Sequence, residues 1–297
     1  MDDIDFGFFN LAADKRGLAY EKFFLDRLAP FLFVPRLHSL IELPGLKAKG
    51  SNIKLPLGPQ NIKTLDNNKR ELLFQKTINL ADRYHLQYLA VDRRLKKYFM
   101  DGKYAYPYVF GDKFIKALAS ALIKHWLGTR GADKIIITGN IRDLTDFIED
   151  TASYGVPVSL QGFHPSRYEV LAHRLLYEKG LAVSTSMINP SQWGKGDLVV
   201  VFDEYYQRFS LVAPDAWFLS LYDNSRNLAP ELENRFLRNG LDASIYTLAP
   251  VLESCILSKG GLIKRNAELE MDNYSFLYLR ELGEQLGLWE QFLDKGI

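Results

Sequence analysis

Lys134-Ile135-Ile136-Ile137-Thr138-Gly139-Asn140-Ile141-Arg142-Asp143-Leu144-Thr145-Asp146-Phe147-Ile148 decides the reading of the fold. A β-branched apolar run, Ile135 to Ile137, enters a glycine turn at Gly139 and then an amphipathic helix. Strand, glycine turn and helix in that order frame a dinucleotide-binding fingerprint, which needs two further glycines. This chain has Arg142 and Thr145 at those two positions. The second glycine lets a pyrophosphate approach bare backbone, and the third lets helix pack on strand. The scaffold is kept while its ligand contacts are replaced.

Around this segment, strands and helices alternate. Strands are predicted at Ile135–Thr138, Val156–Leu160, Leu181–Ser184, Asp197–Phe202 and Trp217–Leu221. Helices are predicted at Asp143–Ser153 and at Pro165–Lys179, with proline in the first turn of the latter. Such alternation implies a parallel sheet with covering helices. Gly128 and Gly131 bracket a turn taken as the domain boundary.

Upstream, residues 23–43 read as short packed elements broken at Pro30 and Pro35. A strand at Ile53–Leu55 ends at Pro56, and a helix over Asn67–Tyr84 puts Leu73, Thr77, Leu80, Ala81 and Tyr84 on one face. A strand at Leu86–Val91 follows. Asp112 is the expected cap of a helix with Ile115, Leu118, Ala119, Leu122, Ile123 and Trp126 at helical spacing. After Gly240 come helices near Ile245–Ser258 and Tyr274–Phe292, the second capped by Asp272. No strand follows them, so they are expected to return to the first domain and close the interdomain cleft. The expected architecture is α/β in two domains. Residues 1–130 plus 246–297 form an N-terminal mixed α/β domain of substrate type, and 131–245 form the parallel-sheet domain.

The chain has 297 residues and is 47% hydrophobic, enough for two modest cores. A net charge of +1 gives no bulk attraction to nucleic acid or an anionic membrane. A single cysteine, Cys255, excludes an intramolecular disulfide and makes a reducing compartment the default. No basic-then-apolar leader opens the chain, and no apolar run approaches the ~20 residues of a membrane span. A soluble cytoplasmic protein is expected.

The element order resembles that of shikimate-dehydrogenase-like enzymes. More specifically, the chain resembles the long-chain acyl-[acyl carrier protein] reductases of cyanobacteria and related amino-acid dehydrogenases. The best segment is Leu248-Ala249-Pro250-Val251-Leu252-Glu253-Ser254-Cys255-Ile256-Leu257. The family's form is Phe-Ala-Cys-Phe-Ala-Glu-Ser-Met-Leu-Leu, so the alanine and the Glu-Ser pair coincide. Phe6-Gly7-Phe8, the helix at 67–84 and Gly111 match in order and spacing. The resemblance implies a Rossmann-like second domain, NAD or NADP as cofactor, and an acyl-accepting cysteine. That cysteine falls on Pro250, which has no nucleophilic atom, and Cys255 lies five residues on, on a different helix face. The family's Gly-Gly loop falls near Asp92-Arg93-Arg94, its Thr-Thr-Gly-Asn turn on Val109-Phe110-Gly111-Asp112, its glycine-rich turn on Gly139–Thr145, and its Asp-Gly-Gly near Leu221-Tyr222-Asp223. Four functional loops are rewritten together.

Asp92, Asp112 and Asp223 are the candidate acids or bases, each at a loop expected to face the cleft. Arg93 and Arg94, with Lys96, Lys97 and Gly111 nearby, read either as a solvated helix start or as an anion site. Gly139, Asn140, Ile141 and Arg142 are what remains of the cofactor turn, where Arg142 either occludes the site or clamps a smaller anion. Gln161 follows the second strand, where an acidic residue would read the ribose. Arg167 reads as a 2′-phosphate contact or a solvated arginine. Cys255, in an apolar helix, reads as inert. The histidines show no metal spacing, and no metal is expected. The aromatic run Tyr98, Phe99, Tyr104, Tyr106, Tyr108 and Phe110 is expected to fill the cleft or meet a partner. Asp203-Glu204-Tyr205-Tyr206 reads as a solvated loop.

Three functions fit these residues. The preferred one is a non-catalytic relative of the reductases acting in binding or regulation. The second is an NAD(P)-dependent oxidoreductase of shikimate-dehydrogenase-like type with a divergent site. The third is a small anionic ligand binder using Arg93, Arg94 and Arg142. A small molecule, a protein or a second copy is the expected partner, and nucleic acid is not.

Overall fold

The computed structural model describes residues 4–99, 106–139, 144–203, 212–222, 230–260 and 274–292. In chain order the elements are β1 (Phe6–Leu11), α1 (Lys22–Leu32), β2 (Arg36–Leu43), β3 (Ala48–Leu55), α2 (Pro59–Thr64), α3 (Asn67–Arg83), β4 (Tyr88–Val91), α4 (Lys96–Phe99), β5 (Tyr108–Val109) and α5 (Asp112–Thr129). Then follow β6 (Lys134–Thr138), α6 (Thr145–Ala152), β7 (Val158–Gly162), α7 (Ser166–Lys179), β8 (Val183–Met187), β9 (Asp197–Val201), β10 (Trp217–Ser220), α8 (Pro230–Arg238), α9 (Ile245–Lys259) and α10 (Phe276–Gln285). The fold is mixed α/β. Backbone packing divides it into two compact units, Met1–Phe114 with Pro230–Leu286, and Ile115–Ala229 with Gly287–Ile297.

The first unit is built on a five-stranded sheet of order β2-β3-β1-β4-β5. β1 runs parallel to both β3 and β4, and β4 parallel to β5. β2 is antiparallel to β3, with a bulge between Leu37 and Ser39. Every residue of β1 is buried, as a central parallel strand covered on both faces requires. Phe9 and Leu11 point into a core shared with Leu25 and Ala29 from α1, Phe33 just after it, and Leu73, Phe74, Ile78 and Ala81 from α3. The alternate residues Phe6, Phe8 and Asn10 take the opposite face. α9 packs against β1, β3, β4 and β5, so the helix after Gly240 belongs with this sheet.

Two expectations change here. Pro30 sits inside α1 rather than breaking it. It stands near the helix end, and its carbonyl is taken by Lys76 Nζ at 2.6 Å. Asp112 is the first residue of α5, not its cap; its carboxylate is drawn instead to Arg93 and Lys96. Asp272 lies outside the described residues, and Ser275 caps α10, its hydroxyl accepting from the Tyr278 N–H.

The second unit carries an all-parallel sheet of order β10-β9-β6-β7-β8. Read from the β8 edge and numbered along the chain, this is third-second-first-fourth-fifth, the order of the doubly wound nucleotide-type sheet. Ile135 to Thr138 and all of β9 are buried. Trp193, Val199, Val201, Ala213 and Ala216 pack with Ile136. The predicted strand at 156–160 lies two residues later, as β7.

Candidate functional site

In an open parallel sheet, ligands bind outside the carboxyl ends of the strands, where the order reverses. In the first unit the chain leaves β1 toward β2 and β3 on one side, and leaves β4 toward β5 on the other. The reversal therefore falls between the carboxyl ends of β1 and β4. Three neighbouring strands set Lys54, Asn10 and Asp92 in a row there. Asn10 and Lys54 are register partners. The Asp92 N–H continues the ladder by donating to the Phe9 carbonyl at 2.9 Å.

Sequence reasoning missed Lys54 and Asn10. The Asn10 amide is buried, and its Oδ1 has no hydrogen-bond partner among the described residues. The half-buried Lys54 ammonium likewise has no polar partner among them. Two residues before Lys54 on the same face, Asn52 Oδ1 is also buried and unpartnered. Tyr88 O–H on β4 and Ser254 Oγ on α9 are in the same condition. Burial pushes the Tyr88 phenol up to about 12, with Tyr278 adding to the shift, so it stays protonated. The available signal was Asn10, a polar residue near the carboxyl end of the otherwise apolar β1; Lys54 carries no such signal, because β3 is polar along its length.

The predicted charged residues meet each other. Asp92 is fully buried and is gripped by Arg94, with Nη2 to Oδ2 at 2.5 Å and Nε to Oδ1 at 2.9 Å. Its Oδ1 also accepts the Arg94 N–H at 2.9 Å. Arg93 Nη1 donates to Asp112 Oδ1 and to the Phe110 carbonyl, both at 2.8 Å, and Lys96 pairs with Asp112 Oδ2. Burial alone would raise the Asp112 carboxyl, but Arg93 and Lys96 outweigh it and hold it below its ordinary range. Arg94 is thus paired with Asp92, while Arg93 and Lys96 share the one negative charge of Asp112.

Gly111 has φ +80°, and a Cβ there would lie 2.5 Å from the Ala249 carbonyl carbon and 2.6 Å from Pro250 N. The proline nitrogen carries no hydrogen, so this close approach sacrifices no hydrogen bond. Pro250, at the cysteine position of the resembled family, is buried inside α9. Cys255 is fully buried and its thiol pKa is raised by that burial, as an inert cysteine requires. In the aromatic run, Tyr98 is half-buried with Arg70 and Lys97 over its ring. Phe99 and Phe110 are core residues, Tyr108 lies between them, and Tyr106 O–H donates to the Leu86 carbonyl at 2.5 Å. Tyr104 lies outside the described residues.

In the second unit the order reverses between β6 and β9. Gly139 follows β6 with φ +114°, and a Cβ there would lie 2.9 Å from Phe202 N and 3.0 Å from Asp203 N. The fold alone requires that glycine. Thr138, beside it, is buried with Oγ1 unpartnered among the described residues. Asn140, Ile141, Arg142 and Asp143, like Asp223 and Glu204 to Tyr206, lie outside the described residues. Gln161 is committed to the interior, its Oε1 accepting from Trp193 Nε1 at 2.9 Å and from the Asn189 N–H at 3.4 Å. Arg167 is exposed on α7. The described residues at the end of β7 include no acid placed to read a ribose. No group of three potential metal ligands occurs among the described residues, and none of their helices is long and apolar enough to cross a membrane.

No protein-family model matches this chain. No curated protein sequence matches it either. Among solved structures, it is similar to L-tryptophan dehydrogenase from Nostoc punctiforme, at 11% identity and TM-score 0.40, over 98% of this chain and 80% of that one. It is also similar to a chorismate mutase/shikimate 5-dehydrogenase fusion protein from Clostridium acetobutylicum, at 9% identity and TM-score 0.34, over 97% of this chain and 99% of that one.

Proposed function

We propose that this chain is a non-catalytic relative of Rossmann-type reductases that holds a small anionic ligand at the carboxyl edge of its first sheet, in a binding or regulatory role. The observation that carries this reading is the pairing of both described candidate acids, Asp92 with Arg94 and Asp112 with Arg93 and Lys96. A carboxylate held low by two cations is a poor general base. Among the described residues, what has no polar partner at this edge is a cation, Lys54, beside an acceptor, Asn10. Such a pair suits an anionic group and a neighbouring hydroxyl, and serves holding rather than proton transfer. The division into 1–130 with 246–297 and 131–245, the cytoplasmic setting and the kinship with acyl-carrier-protein reductases belong to the same proposal.

The oxidoreductase reading keeps one supporting feature, the second sheet's nucleotide-type strand order. Calorimetric titration separates the two. NADPH and NADH give no saturable heat in the binding reading, whereas malate or inorganic phosphate binds and Lys54→Ala abolishes it. Saturable micromolar coenzyme binding overturns the reading.

A further inference from the structure

We infer that the outward face of α1 is the surface through which two copies of this chain pair about a two-fold axis. The helix reads Lys22-Phe23-Phe24-Leu25-Asp26-Arg27-Leu28-Ala29-Pro30-Phe31-Leu32. Leu25 and Ala29 enter the core. The other side carries Phe23 and Phe31, 70% and 77% exposed, with Phe24 and Leu32 also exposed. The helix also carries Lys22, Asp26 and Arg27, but its exposed Phe23, Phe24, Phe31 and Leu32 form a second apolar face opposite the one in the core, and such a patch marks an interaction surface. The face is firmly held. Asp26 Oδ1 accepts the Asp66 N–H at 2.7 Å, and Lys76 Nζ donates to the Pro30 carbonyl at 2.6 Å.

Two features select a second copy as the occupant. The first is symmetry. The exposed pairs Phe23–Phe24 and Phe31–Leu32 stand at equal distances from the midpoint between Arg27 and Leu28. Laying α1 antiparallel on itself about that midpoint sets Phe24 against Phe31, and Phe23 against Leu32, of the other copy. Self-complementarity of this kind is what an isologous contact demands. It also opposes the two helix dipoles. The second feature is area. With Leu18, 71% exposed just before the helix, the apolar face offers roughly 600 Å² per copy at about 200 Å² per fully exposed large side chain. The pair would bury about 1,200 Å², the lower bound for a stable specific interface. A membrane surface has no use for the symmetry, and a net charge of +1 gives it no general electrostatic pull.

Sedimentation velocity of the full chain over a concentration series tests this. The parent chain is expected to dimerise. Phe24→Glu and Phe31→Glu are expected to be monomers with unchanged far-ultraviolet circular dichroism. Val170→Glu, at a 78% exposed position on α7, is expected to leave the dimer intact. As a second measurement, Arg27→Cys, next to the axis, crosslinks to its own copy through a short bismaleimide. Phe23→Cys, set roughly 13 Å along the helix from its counterpart, does so poorly. A parent chain monomeric at every concentration overturns the inference, as does a dimer indifferent to both glutamates. Monomers that instead bind phosphatidylserine vesicles through this face overturn it too.

Discussion

Glu253, in the middle of α9, accepts the Phe114 N–H at 2.9 Å across 139 residues of sequence. That amide belongs to the first turn of α5, where any helix leaves donors without internal partners. The other Glu253 oxygen accepts Tyr274 O–H at 2.5 Å. Burial raises the Glu253 carboxyl above its usual range, and these two donors oppose the rise. Glu253→Ala strands both donors and is expected to cost at least about 2 kcal/mol. Tyr274→Phe strands one oxygen and costs about 1 kcal/mol. Urea denaturation measures both, and an undiminished midpoint in Glu253→Ala would refute the distant cap.

The cluster around Asp112 makes stability depend on pH in a definite direction. Its folded carboxyl titrates below the ordinary 3.8, because Arg93 and Lys96 outweigh burial. A group depressed on folding adds stability above its unfolded pKa and loses it as pH falls through the folded value. Asp112→Asn is therefore less stable than the parent by about 1–2 kcal/mol at neutral pH. The gap closes as pH falls below 3.8. Denaturation curves at several pH values read this directly. A gap that stayed constant into acid would remove these ion pairs from the account.

Gly111 and α9 fit only because no side chain stands between them. Gly111→Ala combines a left-handed φ of +80° with a Cβ 2.5 Å from backbone. Strain and overpacking together are expected to cost about 3 kcal/mol, since the obstacle is helix backbone and cannot rotate away. Thermal unfolding gives the check. A loss of only a few tenths would mean that α9 shifts freely.

Periodicity exposed α3 and α5 through their apolar faces, while α9, buried without a break from Thr247 to Leu257, reads as a continuous apolar run, and β6 and β9 as short ones ended by turns. It passed over β1, whose Phe-Gly-Phe-Phe-Asn-Leu has no alternation because both faces are covered. Pro30 was read as a breaker, yet a proline near a helix end loses one bond and keeps the helix. Arg93 and Arg94 are visible in the sequence as cations, but their pairing is only partly so. Asp112 reaches Arg93 from 19 residues on, a closure set by the β4–β5 pairing and invisible to local pattern. Lys54 was read correctly as a strand residue. Its place beside Asn10 depends on register between strands 44 residues apart, which no single-strand signal carries.

Arg94 separates a structural cation from a ligand-binding one. Asp92 is fully buried, so among the described residues Arg94→Ala leaves its carboxylate facing the backbone N–H of residue 94 alone. Removing one partner of a fully buried pair costs about 3–5 kcal/mol, and the partial exposure of Arg94 brings the expected loss nearer about 2 kcal/mol. Replacing both partners, as Asp92→Leu with Arg94→Met, recovers most of it, because no unpaired charge is left. Phosphate affinity, measured by calorimetry on the folded double variant, stays close to the parent's, since the guanidinium is already spent on Asp92. A tenfold loss of phosphate affinity in that variant, with stability restored, would move the anion site from Lys54 to Arg94.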